Sequence, residues 1–245
     1  MNNNINEINP RLYARVGGIA YLIIIAAGFL TEMIISKAII VPGDAAATAK
    51  NLLASPLLWR IGIASDLLMH ICDMILLMVM YTLLKPVNKN LALLMLLFNM
   101  IQTAVLVANN MNMMTPLLLS GTADHLNAFT PNQLQSLAYT AIRVHGNGFG
   151  SGLIFFGCAC VISGYLIFKS GYFPRILGVM IQIAGACYLV NSFTLIIDPE
   201  VGHMLFPAIL LPAFVAETSL CLWLIIKGVK LEKWNETTGA LYIEV

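Results

Sequence analysis

Residues 61–84 read IGIASDLLMHICDMILLMVMYTLL. A helix crosses a bilayer core with about 20 predominantly apolar residues, and this stretch is long enough. It also carries three side chains that hydrocarbon does not tolerate alone, Asp66, His70 and Asp73. Their i, i+4, i+7 spacing keeps them within about 60° of arc on a helix, so they share one face. Ionisable groups at membrane depth are costly. That face must turn to a partner or a hydrated cavity, and its residues are functional candidates by default.

Five further segments, 16–36, 91–119, 137–168, 176–197 and 205–226, have the same apolar character. Of the 245 residues 59% are hydrophobic and only 10% charged, whereas a soluble domain carries about 25% charged residues. A chain this poor in charge cannot cover a water-facing surface, so membrane lipids must face much of it. The expected fold class is all-α, a six-span transmembrane helix bundle occupying 16–230, preceded by a polar segment, 1–15, and followed by a polar tail, 231–245, expected to fray. The Asn-rich start lacks the basic region, short apolar core and cleavage site of a signal peptide. A net charge of +1 gives no basis for nucleic-acid binding. The five cysteines, Cys72, Cys158, Cys160, Cys187 and Cys221, all lie in apolar runs and read as small buried hydrophobes rather than a disulfide framework.

Basic residues orient the bundle. With six spans, Arg11, Arg15, Lys85, Lys89, Lys169, Arg175, Lys227, Lys230 and Lys233 fall on one side, and only Lys37, Lys50 and Arg60 on the other. This bias predicts a multi-pass protein of the cell membrane with both termini cytoplasmic. On the outer side, Gly43-Asp44 before 45–54 reads as a capped short interfacial helix that stops at Ser55-Pro56. Thr130-Pro131 reads as the start of a second. Lys85-Pro86-Val87-Asn88 and Gly171-Tyr172-Phe173-Pro174 read as tight cytoplasmic turns.

In this orientation the polar side chains gather in the middle and outer parts of the spans. Asp66, Arg143 and His145 come early in spans entering from outside, with His70, Asp73 and Glu217 nearer the midplane. Glu32, Asn109, Asn110, Asn112 and Asn191 come late in spans leaving to the outside. Gln102 and Asn109, seven apart, share a face. Arg143 and His145 are turned about 200° from each other on a helix. Gly146, Gly148, Gly150 and Gly152 thin the helix around them, which permits close packing or approach to a ligand. The predicted shape is a polar cavity open to the outside, lined by Asp66, Asp73, Gln102, Asn109, Arg143, His145 and Glu217. Arg143 reads either as a structural ion pair with Asp66, Asp73 or Glu217 or as a fork for an anionic group. Glu217 reads either as a structural residue or as a proton carrier or general acid. His125 and His203 read as solvated residues of the outer connections. The thirteen methionines read as packing filler.

The stretches IVPGDAAATAKNLLASP (40–56), WRIGIASDLLMHICDMILLMVMYTLLKPVNKNLALL (59–94), the His145 region running into GLIFFG (152–157) and GYFPRILGV (171–179) resemble the DUF4386 family of bacterial multi-pass membrane proteins of unknown function. The resemblance covers about 11–230 and implies that Asp66, Asp73, His145 and Glu217 belong to the polar pattern of the family. It carries no mechanism.

Three functions remain open. The first is binding or transport of a small polar or amphipathic ligand, with Asp73 and Glu217 exchanging protons and Arg143 holding an anion. The second is an intramembrane metal-dependent lipid hydrolase, with Asp66, His70, Asp73 and His145 as ligands of a zinc ion that activates water. The third is a structural subunit whose buried charges only orient helices. No cofactor is expected under the first or third reading. Enzyme, transporter and structural roles, ligand identity and oligomeric state are all undetermined by residue pattern.

Overall fold

The computed structural model describes residues 9–121 and 123–239. Residues 1–8, Thr122 and 240–245 lie outside the described residues, as do the side chains of Met33, Ile34 and His203. The described chain is all-α. Its elements are α1 (Pro10–Phe29), a π-helical segment (Leu30–Ser36), α2 (Lys37–Ile39), α3 (Ala45–Ala54), α4 (Pro56–Leu84), α5 (Lys89–Leu119), α6 (Pro131–Ser170), α7 (Arg175–Ile197), α8 (Pro199–Leu205), α9 (Leu211–Ile226) and α10 (Leu231–Thr238). Six helices are long and apolar enough to cross a membrane, Pro10–Ile39, Pro56–Leu84, Lys89–Leu119, Pro131–Ser170, Arg175–Ile197 and Ala208–Ile226. All carry large apolar side chains on their outer surfaces, among them Ile71, Met111, Val161, Ile196 and Phe214. Lipid is the solvent that such surfaces fit.

Local chemistry sets the helix starts. The Asn9 side chain accepts from the Arg11 and Leu12 N–H groups, each at 3.1 Å. Asn88 does the same for Asn90 and Leu91 at 3.1 and 3.0 Å. Asp44 accepts from Ala47 at 2.8 Å and caps α3, the short helix expected there. At Thr130 the Gln133 side chain accepts from the Thr130 N–H at 2.8 Å, and Thr130 Oγ1 accepts from the Gln133 N–H at 3.4 Å, a reciprocal capping box. This cap does not open a separate short helix as expected. It opens α6 itself, because no Gly or Pro between Pro131 and His145 stops the helix. At 1.5 Å per residue, the 40 residues of α6 span about 60 Å. Even tilted by about 40°, such a helix rises about 46 Å, against about 30 Å of hydrocarbon. The continuous apolar run lies in its C-terminal half, so the Pro131 end extends beyond the core.

The chain divides into two compact units. One comprises residues 23–72 and 103–152. Its apolar core is Ile35, Ile39, Leu52, Trp59, Ile63, Met113 and Ile142. Trp59 is 1% exposed and its indole N–H donates to the Met113 carbonyl at 2.8 Å. Trp59 thus fills volume without leaving its polar atom unpaired.

The other unit comprises residues 1–22, 73–102 and 153–245. Here α6 and α7 meet through reciprocal glycines. A Cβ on Gly164 would stand 2.5 Å from the Gly178 carbonyl oxygen, and one on Gly185 would stand 2.7 Å from that of Gly157. Without side chains the backbones approach to van der Waals contact, which drives association where no hydrophobic effect operates. At the turn after α6, Tyr172 is fully buried, its hydroxyl donating to the Leu83 carbonyl. Burial pushes its phenol above the ordinary tyrosine range. The tail expected to fray is instead helical over Leu231–Thr238. Trp234, 5% exposed, stands edge-on to the Tyr172 ring with centroids 5.1 Å apart, and the Lys230 N–H donates to the Tyr172 carbonyl at 3.1 Å. One buried aromatic pair holds this polar helix down.

Replacing Gly178 with Leu is expected to lower stability by about 1–3 kcal/mol through overpacking against α6. Thermal unfolding in detergent checks this, with Gly146→Leu, where no atom lies within 4 Å, as the control. The Tyr172 contribution is intact at neutral pH. Because its folded value is raised, it is lost as pH climbs from the ordinary tyrosine range near about 10 through that value. Tyr172→Phe flattens this alkaline limb in a stability-against-pH series.

Candidate functional site

Polar residues form two groups, one in each unit. In the unit of 23–72 and 103–152, the group is built on α4, α5, α6 and the π segment. Asp66 on α4 accepts from the Asn110 carboxamide at 2.5 Å. Asn109 on α5 donates to the His145 carbonyl at 2.8 Å, and its Nδ2 lies 3.3 Å from His145 Nδ1. Asn112 donates to both the carbonyl and the side-chain oxygen of Asn109, each at 3.1 Å. Asn109 and Asn110 are 9% and 3% exposed. His70, also buried, lies within electrostatic reach of Asp66 and His145. Glu32, exposed on the π segment, feels the same two residues. A π turn redirects the side chains it carries and is found often at functional positions.

Gly148 makes this arrangement possible. A Cβ there would run into the Asn109 carboxamide. The glycine run of α6 is therefore a seat: Gly148 admits Asn109, and Gly152 admits Leu106, whose Cδ2 would lie 2.6 Å from an added Cβ. Arg143 does not join the group. It is exposed and forms no ion pair with Asp66 among the described residues.

In the unit of 1–22, 73–102 and 153–245, Glu217 on α9 is the centre. The Tyr188 hydroxyl on α7 donates to Glu217 Oε1 at 2.6 Å. Tyr21 on α1 lies within electrostatic reach of the same carboxyl. Asp73 on α4 lies within electrostatic reach of Glu217, and Cys160 on α6 within reach of both. Phe156 tilts against Tyr188, with ring centroids 5.2 Å apart. Tyr21 reaches α9 because Gly18, one turn earlier, lets the backbones close up: a Cβ at Gly18 would stand 2.8 Å from the Ile225 nitrogen. The Cys221 thiol donates to the Gly18 carbonyl at 3.4 Å in the same contact. No basic side chain pairs with Glu217 among the described residues.

The predicted lining residues occur in both units. Asp66 and His145 belong to the first group, with His70. Asp73 and Glu217 belong to the second. Gln102 is buried at 7% exposure in the second unit. Tyr21 and Tyr188 were missed by sequence reasoning because a neutral hydroxyl inside an apolar run announces no cost. Among the described residues no three His, Cys, Asp or Glu side chains are grouped so as to hold a metal ion. The set Asp66, His70, Asp73 and His145 therefore gains no ligand geometry here. All five cysteines are free thiols.

Comparison with known proteins gives two matches. The family model described as "Domain of unknown function (DUF4386)" matches residues 16–228. An uncharacterised protein of Archaeoglobus fulgidus is 30% identical over 172 residues, covering 70% of this chain and 86% of that protein. No solved structure matches.

Gly148→Ala is expected to displace Asn109 from His145 and to cost about 1–3 kcal/mol. His145 nitrogen chemical shifts in labelled protein check this. They should move in Gly148→Ala and stay in Gly146→Ala.

Proposed function

Because the chain belongs to the DUF4386 family, whose description assigns no activity, we propose a function from the geometry: a membrane protein that binds or transports a small polar or amphipathic ligand in exchange for protons at Glu217 and Asp73. One observation carries this reading. Two carboxyl groups on different helices lie within electrostatic reach, Glu217 accepts from the Tyr188 hydroxyl with Tyr21 close by, and no basic side chain pairs with Glu217 among the described residues. A structural ion pair would bring its own cation. Two carboxyls beside tyrosine hydroxyls instead form a proton-exchange site: adding a proton removes like-charge repulsion, and releasing one restores it. Tyr188 supplies a donor that holds Glu217 in place in either state.

On this reading, Asp66, Asn109, Asn110 and His145 form a second polar station, one able to hydrogen-bond a ligand. Arg143, exposed and without an acid partner, meets anionic groups near the surface. Extension of α6 beyond the hydrocarbon supports this, since a charge there stays hydrated. The nine-to-three distribution of Lys and Arg supports cytoplasmic termini, with the Asn109–His145 station towards the outside.

Infrared difference spectroscopy of the protein in liposomes between pH 5 and pH 9 tests the exchange site. A protonated-carboxyl band should titrate, vanish in Glu217→Gln and shift in Tyr188→Phe. Currents on a solid-supported membrane, driven by a panel of amines, carboxylates and zwitterions, should appear with the native chain and fall at least tenfold in Glu217→Gln. Absence of any titrating band that depends on Glu217 or Asp73 sinks the reading. A reporter fused after residue 239 should be protected from outside protease in right-side-out vesicles; cleavage there would reverse the orientation.

A further inference from the structure

A groove with a volume of about 460 Å³ lies between α1 and α4, lined by Leu12, Tyr13, Val16, Met74, Ile75 and Met78, with Val79 at its floor. It belongs wholly to the unit of 1–22, 73–102 and 153–245. Its walls are exposed apolar side chains: Leu12 58%, Val16 44%, Met74 44% and Met78 60% exposed. Val79 is 4% exposed, pressed against Gly17, where an added Cβ would stand 2.7 Å from Val79 Cγ1. That contact fixes the register of the two helices. As the first two spans they run antiparallel, so stepping equally back from Gly17 and forward from Val79 brings Arg11 level with Lys85.

Counted the same way, Arg15 is level with Tyr81, about one turn inside Lys85, so two exposed cations flank the groove towards its Lys85 end. Arg15 is the neighbour of Val16 and sits one turn from Leu12, exposed and without an acid partner among the described residues. Lys85 follows Met78 by seven residues, in the turn just past the end of α4. It too is exposed without an acid partner among the described residues, its Nζ 5.9 Å from the centroid of the Tyr81 ring. Two unneutralised cations capping an apolar trough match the two ends of one molecule class.

We propose that this groove is a binding site for an acidic phospholipid, its acyl chain lying along Met74, Met78 and Val16 and its phosphate held by Arg15 and Lys85. Unbranched Met side chains suit an occupant of irregular shape. Basic residues at the membrane surface between spans attract anionic headgroups. The site shares no residue with the Glu217 group, and it stands whether or not proton exchange occurs there.

Native mass spectrometry of the whole protein, released from detergent with phosphatidylglycerol or phosphatidylcholine of equal chain length, tests the assignment. The native chain should retain phosphatidylglycerol at least fivefold better. The double variant R15Q/K85Q should abolish that preference while still retaining either lipid weakly. Met78→Trp, which fills the trough, should reduce retention of both at least fivefold. Circular dichroism confirms that each variant keeps its helices, as expected for exposed positions; should R15Q/K85Q not fold, the single variants Arg15→Gln and Lys85→Gln are compared in its place. Equal retention of the two lipids by the native chain, or a preference unchanged in R15Q/K85Q, overturns the proposal. Retention of free glycerol phosphate as strong as that of the lipid would also overturn it, since the trough would then contribute nothing.

Discussion

A backbone amide or polar side chain in hydrocarbon has no water to return to, and leaving it unpaired costs several kcal/mol. This constraint acts first on the backbone, which closes its hydrogen bonds within helices. It then acts on the polar side chains carried into the apolar runs, several of which find partners on other helices. Asn109 and Asn112 bond to each other and to the His145 carbonyl. Trp59 finds the Met113 carbonyl, and Glu217 finds Tyr188. None of these partners is close in sequence except Asn109 and Asn112, so the contacts also fix which helices are neighbours.

Glycine provides the access that these pairings need. Gly148 admits a carboxamide, and Gly18 brings α1 against α9 so that Tyr21 lies close to Glu217. The two positions solve one problem differently. At Gly148 the missing side chain leaves space for a polar group. At Gly18 it lets a backbone come close enough for a polar group one turn away to connect.

The spans were legible because hydropathy and length act locally: all six apolar runs are helices within a few residues of their expected limits. The Asp44 cap and the Asn88 turn were legible for the same reason. Partnership was not. Periodicity placed Asp66, His70 and Asp73 on one face, but a face runs the length of a helix, and Asp73 lies within electrostatic reach of Glu217 while Asp66 bonds to Asn110. Tyr21 and Tyr188 looked like any aromatic in an apolar run. Arg143 reads as either an ion-pair member or an anion fork, and residue pattern alone does not choose between them. The capped, uninterrupted helix from Pro131 is too long for hydrocarbon alone. The buried Trp234 was hidden in a tail whose composition is polar.

The α6–α7 seam has a mechanical corollary. Gly157 and Gly164 on one helix, and Gly178 and Gly185 on the other, recur at the same seven-residue interval. A one-residue slide drives a side chain into bare backbone. The next matching register is seven residues away, about 10.5 Å along the axis, too far for thermal jostling. The seam is thus a ratchet tooth that forbids piston travel but leaves a pivot: any working stroke involving these two helices has to be a rocking about that crossing.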